Sequence, residues 1–184
     1  MIVINLFGAP GSGKSTTAAG LFFLMKINKM SVELVTEFAK ELVLERRENV
    51  FGDQNFIFAE QARRIRRVQE NGYQFAITDS PILLPAFYSQ ETMPKTFEPM
   101  VIDEFHSYSN LNYFLDRKHS FEAIGRRHTE DQSEIIKVEL GSYLAQRDIE
   151  YVEVPAGPRT PEVILEDIKK RMPPMMGLPF DGLD

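Results

Sequence analysis

Residues 8–15 read GAPGSGKS and satisfy the pattern G-x-x-x-x-G-K-[ST], with Gly8, Gly13, Lys14 and Ser15 at its fixed positions. Glycines let a main chain curl until several N–H groups face one anion, and a helix that starts directly afterwards points its positive end at the same charge. A lysine closing such a loop reaches the β- and γ-phosphates of a nucleoside triphosphate, and the hydroxyl after it can ligate Mg²⁺. The segment therefore predicts a triphosphate cradle with donors from Gly8, Gly11, Ser12, Gly13, Lys14, Ser15 and Thr16. Lys14 supplies the catalytic cation and Ser15 a metal ligand.

Two acids complete the chemistry that a triphosphate invites. Glu37 follows the apolar stretch VELVT, and Asp79 follows FAIT. Moving a phosphoryl group to a hydroxyl needs one carboxylate to orient or deprotonate the attacking oxygen and another to hold the metal shell. Glu37 is assigned to the acceptor and to catalysis, Asp79 to the magnesium side as well as to the acceptor, and an exchange of the two roles stays open. The plainer alternatives are a first-turn helix acid for Glu37 and an N-cap for Asp79.

Residues 53–71 carry helical periodicity, with Arg63, Arg64, Arg66 and Arg67 on one face and Ile57, Phe58, Ile65 and Val68 on the other. Gln61 falls inside the apolar stripe, where an amide must find partners, so it is expected to reach into an acceptor pocket with Arg64 beside it. A solvated, ion-paired face is the alternative for the arginines. Residues 117–130 lack periodicity and hold Arg117, Arg126 and Arg127, a flap suited to closing over a nucleotide, neutralising transferred charge and excluding water. Ala156, between Pro155 and Gly157, marks a place where an adenine could lie against backbone.

These residues need a scaffold that presents them at one edge. Apolar runs at residues 2–7, 31–36, 73–78, 111–115 and 150–154 read as strands. They are separated by helices near residues 14–28, 38–46, 53–71, 98–108, 129–147 and 160–171. Gly72 should close the third helix, Thr129 and Gln132 have capping-box spacing, and Thr160 before Pro161 reads as an N-cap. Phe22, Phe23, Phe105 and Tyr143 are assigned to the core. The expected architecture is α/β, three layers, with a parallel five-stranded sheet covered by helices on both faces, and ligands beyond its carboxyl edge. Residues 1–172 are expected to form one domain, and the Pro- and Gly-rich residues 173–184 an irregular tail.

Of 184 residues, 43% are hydrophobic and 26% charged, which suits one folded unit and not a disordered chain. No cysteine is present, which excludes disulfides, thiolate nucleophiles and Cys-ligated zinc, and His106, His119 and His128 have no metal-ligand spacing. A net charge of −6 argues against coating nucleic acid by bulk electrostatics. No apolar run spans a bilayer and no leader pattern opens the chain, so no membrane partner is expected and the cytoplasm, or a host's cytoplasm for a viral gene, is the expected location. A homo-oligomer is compatible with everything read so far.

A guanine-specifying Asn-Lys-x-Asp is absent, and after the fifth strand there is no room for the helical lid of large ring ATPases. A small phosphotransferase fits best, with a slowly hydrolysing regulatory ATP-binding module as the competing class. The blocks GAPGSGKSTTAAG, VELVTEFAKEL, IFAEQARRIRR, ITDSPILL and YFLDRKHSFEAIGRRHTEDQ, taken in order, resemble P-loop kinases of the thymidylate-kinase-like and nicotinamide-riboside-kinase-like group across most of residues 1–155. Within that group the chain looks most like the phage 5-hydroxymethyl-deoxyuridine DNA kinases and related phage and bacterial ATP-binding proteins. The resemblance implies the P-loop NTPase strand order 2-3-1-4-5, ATP and Mg²⁺, and a nucleoside-like acceptor, within DNA or free, near Glu37, Gln61 and Asp79. It also departs from the thymidylate kinase pattern: Ser80 follows Asp79 where an arginine is usual, which removes a contact to a 5′-monophosphate.

Overall fold

Strand β1 (Ile2–Phe7) sends Val3 and Phe7 into one apolar cluster and Ile4 and Leu6 into another, all nearly inaccessible. A strand that is apolar on both faces must lie inside a sheet covered on both sides, and this is where the computed structural model places it. The structure describes residues 1–44, 50, 52–89, 93–117 and 129–172. In chain order the remaining elements are α1 (Lys14–Ile27), β2 (Val32–Val35), α2 (Phe38–Leu44), α3 (Gln54–Glu70), β3 (Phe75–Thr78) and α4 (Leu84–Ser89). They continue with α5 (Phe97–His106), β4 (Ser109–Arg117), α6 (Glu130–Ala145), β5 (Val152–Ala156) and α7 (Thr160–Arg171).

The five strands pair in parallel in the order β2-β3-β1-β4-β5. Leu21 and Met25 of α1 and Ile164, Leu165 and Ile168 of α7 close one face over Ile4, Leu6 and Ile77. Residues of α3, α4, α5 and α6 close the other over Val3, Phe7, Ala76 and Phe114. None of the described helices is long and apolar enough to cross a membrane.

Helix ends follow local chemistry. The Asp53 carboxylate accepts the Phe56 N–H at the start of α3, and Gly72, at φ 78°, closes it with Tyr73 N–H bonded to the Val68 carbonyl. Thr129 and Gln132 form the expected reciprocal capping box on α6. The N-cap of α7 is Arg159, one residue before the expected Thr160. Thr160 is instead the first helical residue, and its hydroxyl accepts the Gly157 N–H and donates to the Pro155 carbonyl, tying the helix to the strand before it. Strand β5 runs two residues further than its apolar pattern suggests, because Asp116 and Arg117 of β4 pair with Pro155 and Ala156. Pro155 is tolerated there because β5 is an edge strand. Strand β4 is longer than expected at both ends, and α4 has no counterpart in the sequence reading. Phe23 is 61% exposed and not part of the core, since α1 turns its other face to the sheet.

Asn5 is fully buried at the β1–β4 seam, where its amide N–H₂ donates to Asn110 Oδ1 and Asn112 Oδ1. Those two amides in turn donate to the carbonyls of Phe105, Tyr108 and Glu150. Across the sheet, Gly20 lets α1 approach α7: a Cβ at Gly20 would sit 2.8 Å from Pro161 Cγ. Gly20→Ala should therefore lower the melting temperature. Overpacking against a rigid ring, about 1–3 kcal/mol, should outweigh the roughly 1 kcal/mol gained in helix propensity; thermal denaturation followed by circular dichroism checks the sign.

Candidate functional site

The parallel register levels Asn5 of β1 with Thr78 of β3, and Thr78 with Val35 of β2. Gly8, Glu37 and Asp79 therefore leave the sheet at one edge within a few residues of the last paired rung. Gly8 adopts φ 142°, and a Cβ there would meet Ser12 Oγ at 2.6 Å and the Leu115 carbonyl at 2.9 Å. Gly13, in the left-handed region, occupies the N-cap position of α1 with no side-chain cap, and the first turn of α1 holds no acid. The helix's positive end is thus left to an external anion. Lys14 Nζ donates to the Gly8 and Ala9 carbonyls at 2.8 and 3.0 Å, so its charge lies along the inner rim of the loop. Ser12 Oγ is buried with no hydrogen-bond partner among the described residues.

Glu37 is half-buried, and its carboxyl is held above the usual range. Burial is the main cause; the nearby Asp79 adds to it, while Lys14 and Lys40 pull the other way. Tyr88 of α4 lies close enough to be affected. Burial of its hydroxyl and the Glu37 charge push it up to about 12, although 42% of the residue stays exposed. Asp79 is 5% exposed, and its Oδ1 is buried without a hydrogen-bond partner among the described residues. A buried acceptor oxygen of this kind is costly unless something electropositive faces it, and in that respect the site fits a divalent cation. Asp79 and the Ser15 hydroxyl are the residues that would hold Mg²⁺. No cluster of three His, Cys, Asp or Glu side chains forms a metal cage among the described residues, so the ion would complete its shell with phosphate oxygens and water.

Gln61 is 1% exposed. Its Oε1 accepts the Phe38 N–H at 3.3 Å and its Nε2 donates to Thr78 Oγ1 at 3.2 Å. Arg64 makes a bidentate pair with Glu41 at 2.8 and 2.6 Å, a bond to Glu60 at 3.2 Å, and lies 5.0 Å over the Phe38 ring. Arg63 pairs with Glu60 and Arg66 with Glu104. The two arginine partners hold Glu60 down at about 2. Both Gln61 and Arg64 therefore border the candidate site while bonded within the protein.

Arg117 ends β4 and pairs with Glu130 at 2.7 Å and Glu134 at 2.5 Å on α6, next to Ala156 of β5. Asp116 is engaged by Lys137. Arg126 and Arg127 lie outside the described residues, as do most of the flap at 117–130 and the tail at 173–184.

The family model described as AAA domain matches residues 3–160. The chain belongs to this AAA domain family. None of the curated proteins matches it. Among solved structures, thymidylate kinase from Ehrlichia chaffeensis superposes with a TM-score of 0.60 at 16% identity, covering 93% of this chain and 98% of that one. Deoxyadenosine kinase from M. mycoides with bound dATP gives 0.57 at 18% identity, over 91% and 99%. The same enzyme with bound dCTP gives 0.52 at 17%. At such identities the likeness establishes the fold this AAA domain shares with them.

The AAA domain also uses residues that the sequence reading passed over. Ser133 of α6, 1% exposed, donates to the Pro10 carbonyl at 2.7 Å and pins the loop from the side. Its signal was available: Ser133 shares the helical stripe of Leu140 and Leu144, a small polar residue on a buried face. Thr78, fully buried at the end of β3, carried no signal beyond β-propensity.

Two outcomes follow. Gly8→Ala should weaken triphosphate binding measured by calorimetry, because strain of about 1–3 kcal/mol has to be relieved by moving Ser12 or the Leu115 carbonyl. Glu37→Gln should melt higher than wild type at pH 7.5, with the gap closing as pH falls to the ordinary carboxylate range. A carboxyl whose folded value is raised disfavours the fold once ionised, and exacts no such penalty when it is protonated in both states.

Proposed function

We propose that this chain is an ATP-dependent phosphotransferase that moves the γ-phosphate of ATP to a hydroxyl of a nucleoside-type acceptor. The observation that carries the reading is the pair of carboxylates at the ends of β2 and β3: Glu37 lies within electrostatic reach of both Lys14 and Asp79. A hydrolysing switch needs a positioned water, whereas a half-buried acid held above its usual range beside the triphosphate lysine is suited to take a proton from an alcohol. The likeness in fold to a thymidylate kinase and a deoxyadenosine kinase supports the same direction.

In this reading the loop amides and Lys14 hold the β- and γ-phosphates and offset charge that develops in transfer. Mg²⁺ held by Ser15 and Asp79 would neutralise the phosphate oxygens. Glu37 accepts the acceptor's hydroxyl proton as that oxygen bonds to the γ-phosphorus. The bond from the γ-phosphorus to the β-γ bridging oxygen breaks, ADP leaves, and the proton passes from Glu37 to solvent. Arg117, Arg126 and Arg127 close over the donor, with its adenine near Ala156.

The finer reading is an acceptor hydroxymethyl on deoxyuridine already within DNA, with a free nucleoside, a nucleotide or nicotinamide riboside as the alternative. Ion pairs on Arg63, Arg64 and Arg66 leave the basic face of α3 largely neutralised, which weighs toward a small acceptor over a polynucleotide.

The test offers γ-labelled ATP and Mg²⁺ with deoxynucleosides, deoxynucleoside monophosphates, nicotinamide riboside, and DNA with or without 5-hydroxymethyluracil. Label should appear on one acceptor class, and hydroxymethylated DNA alone would select the DNA reading. Free phosphate released equally in every mixture would replace the kinase with a regulatory ATP-binding module. Lys14→Ala should abolish transfer with the circular dichroism spectrum intact, and Glu37→Gln should lower kcat about 100-fold or more while leaving the KM for ATP within about twofold.

A further inference from the structure

Strands β2 and β3 pair by backbone as far as Val35 and Thr78, and Glu37 and Asp79 lie just beyond that last rung. Past the final backbone pair nothing in a parallel ladder keeps two strand ends at a fixed separation. Gln61 supplies the missing link. Its carbonyl oxygen accepts the main-chain N–H of Phe38, the residue after Glu37, and its amide donates to the hydroxyl of Thr78, the residue before Asp79. The Ser80 N–H, on the far side of Asp79, donates to the same Thr78 oxygen at 3.1 Å. One buried side-chain amide thus acts as an added rung, with an acceptor toward β2 and a donor toward β3.

A packing role alone does not account for an amide here. Gln61 is 1% exposed among Phe58, Ala62 and Ile65, where leucine or methionine would fill the space without desolvating two polar ends. One turn further along α3, Arg64 holds the same elbow of chain by stacking on Phe38 and pairing with Glu41. Glu37 is therefore bracketed by main chain that α3 grips.

We propose that Gln61 is a positioning residue that, through Thr78 and the Phe38 amide, fixes the Glu37 carboxyl against Asp79 and the triphosphate loop. The inference deepens the phosphotransferase reading and rests on it for its kinetic consequences, while the geometric claim has a readout of its own. The charged and titratable groups facing Glu37 are Lys14 of α1, Lys40 of α2, Asp79 after β3 and Tyr88 of α4, and none of them changes in the variants below.

The experiment follows the Glu37 side-chain carboxyl by ¹³C NMR during a pH titration, its signal assigned with Glu37→Gln, in wild type and in the near-isosteric variants Gln61→Met, Thr78→Val and Thr78→Ser. Wild type and Thr78→Ser, which keeps the hydroxyl, should titrate above the ordinary carboxylate range. Gln61→Met and Thr78→Val should titrate lower by about half a pH unit or more as Glu37 relaxes toward solvent. In the acceptor assay the same two variants should lose kcat by about 10- to 100-fold, with the KM for ATP within about twofold, and Thr78→Ser should restore it. Should one of the two fail to fold, the other decides. Folded variants with an unmoved Glu37 titration and unchanged kcat, whatever their melting temperatures, overturn the positioning role. A wild-type protein that labels no acceptor overturns the kinase reading instead, and the titration still decides whether Gln61 sets the carboxyl.

Discussion

The site depends on one constraint, the shared register of three neighbouring parallel strands, of which β2 and β3 end on one row and β1 runs two residues further to Phe7. Asn5, Thr78 and Val35 share a row across β1, β3 and β2, so the phosphate loop and both carboxylates start from the same edge. Parallel pairing makes this unavoidable, because every strand's carboxyl end faces the same way. The row is itself held by polar groups in an apolar interior: Asn5 through Asn110 and Asn112, Thr78 through Gln61. Each of those groups would be destabilising if left alone; the Asn5 amide N–H₂, the Gln61 amide and the Thr78 hydroxyl are bonded, while Asn5 Oδ1 has no partner among the described residues.

Helix α3 serves as a brace whose two faces have opposite tasks. The apolar stripe from Ile57 to Val68 packs on the sheet, and the arginine face is tied down by Glu41, Glu60 and Glu104. Exposed pairs of this type contribute little individually. Their consequence here is electrostatic: they remove most of the positive field that four arginines in a short stretch would otherwise present, so that among the described residues Lys14, Lys40 and the uncapped start of α1 contribute positive potential beside Glu37 and the phosphate loop.

The opposite flank is built from β4 and α6. The Leu115 carbonyl stands where a side chain at Gly8 would be, and Ser133 bonds to Pro10, so the loop is shaped by elements more than a hundred residues away in sequence. Arg117 at the end of β4 sits on Glu130 and Glu134. Its approach to a nucleotide would require exchanging those carboxylates for phosphate oxygens, an exchange between anionic partners of the same guanidinium fork.

Much of this was legible in the residues themselves. GAPGSGKS specifies its own backbone, because glycine is needed at the positive φ of Gly11 and Gly13 and lysine is needed for reach. The doubly buried runs gave the strands and their parallel pairing, and Thr129 with Gln132 marked the start of α6, since such signals act within a few residues. What lies between distant segments was not legible. A wheel diagram put Gln61 on the buried side of α3, and only the packed sheet decided that its amide would bridge Phe38 and Thr78. Arg64 and Arg117 were expected at ligands; an ion-paired face with Glu60, one turn back on the same helix, was a legible alternative for Arg64, whereas Glu41, Glu130 and Glu134 became partners only through tertiary packing. The end of β5 was set by its pairing with β4, a neighbour it meets only in three dimensions. Local composition determined which chemistry the chain carries, whereas long-range contacts decided how that chemistry is held, because hydrogen bonds and ion pairs depend on distances that separation along the chain does not encode.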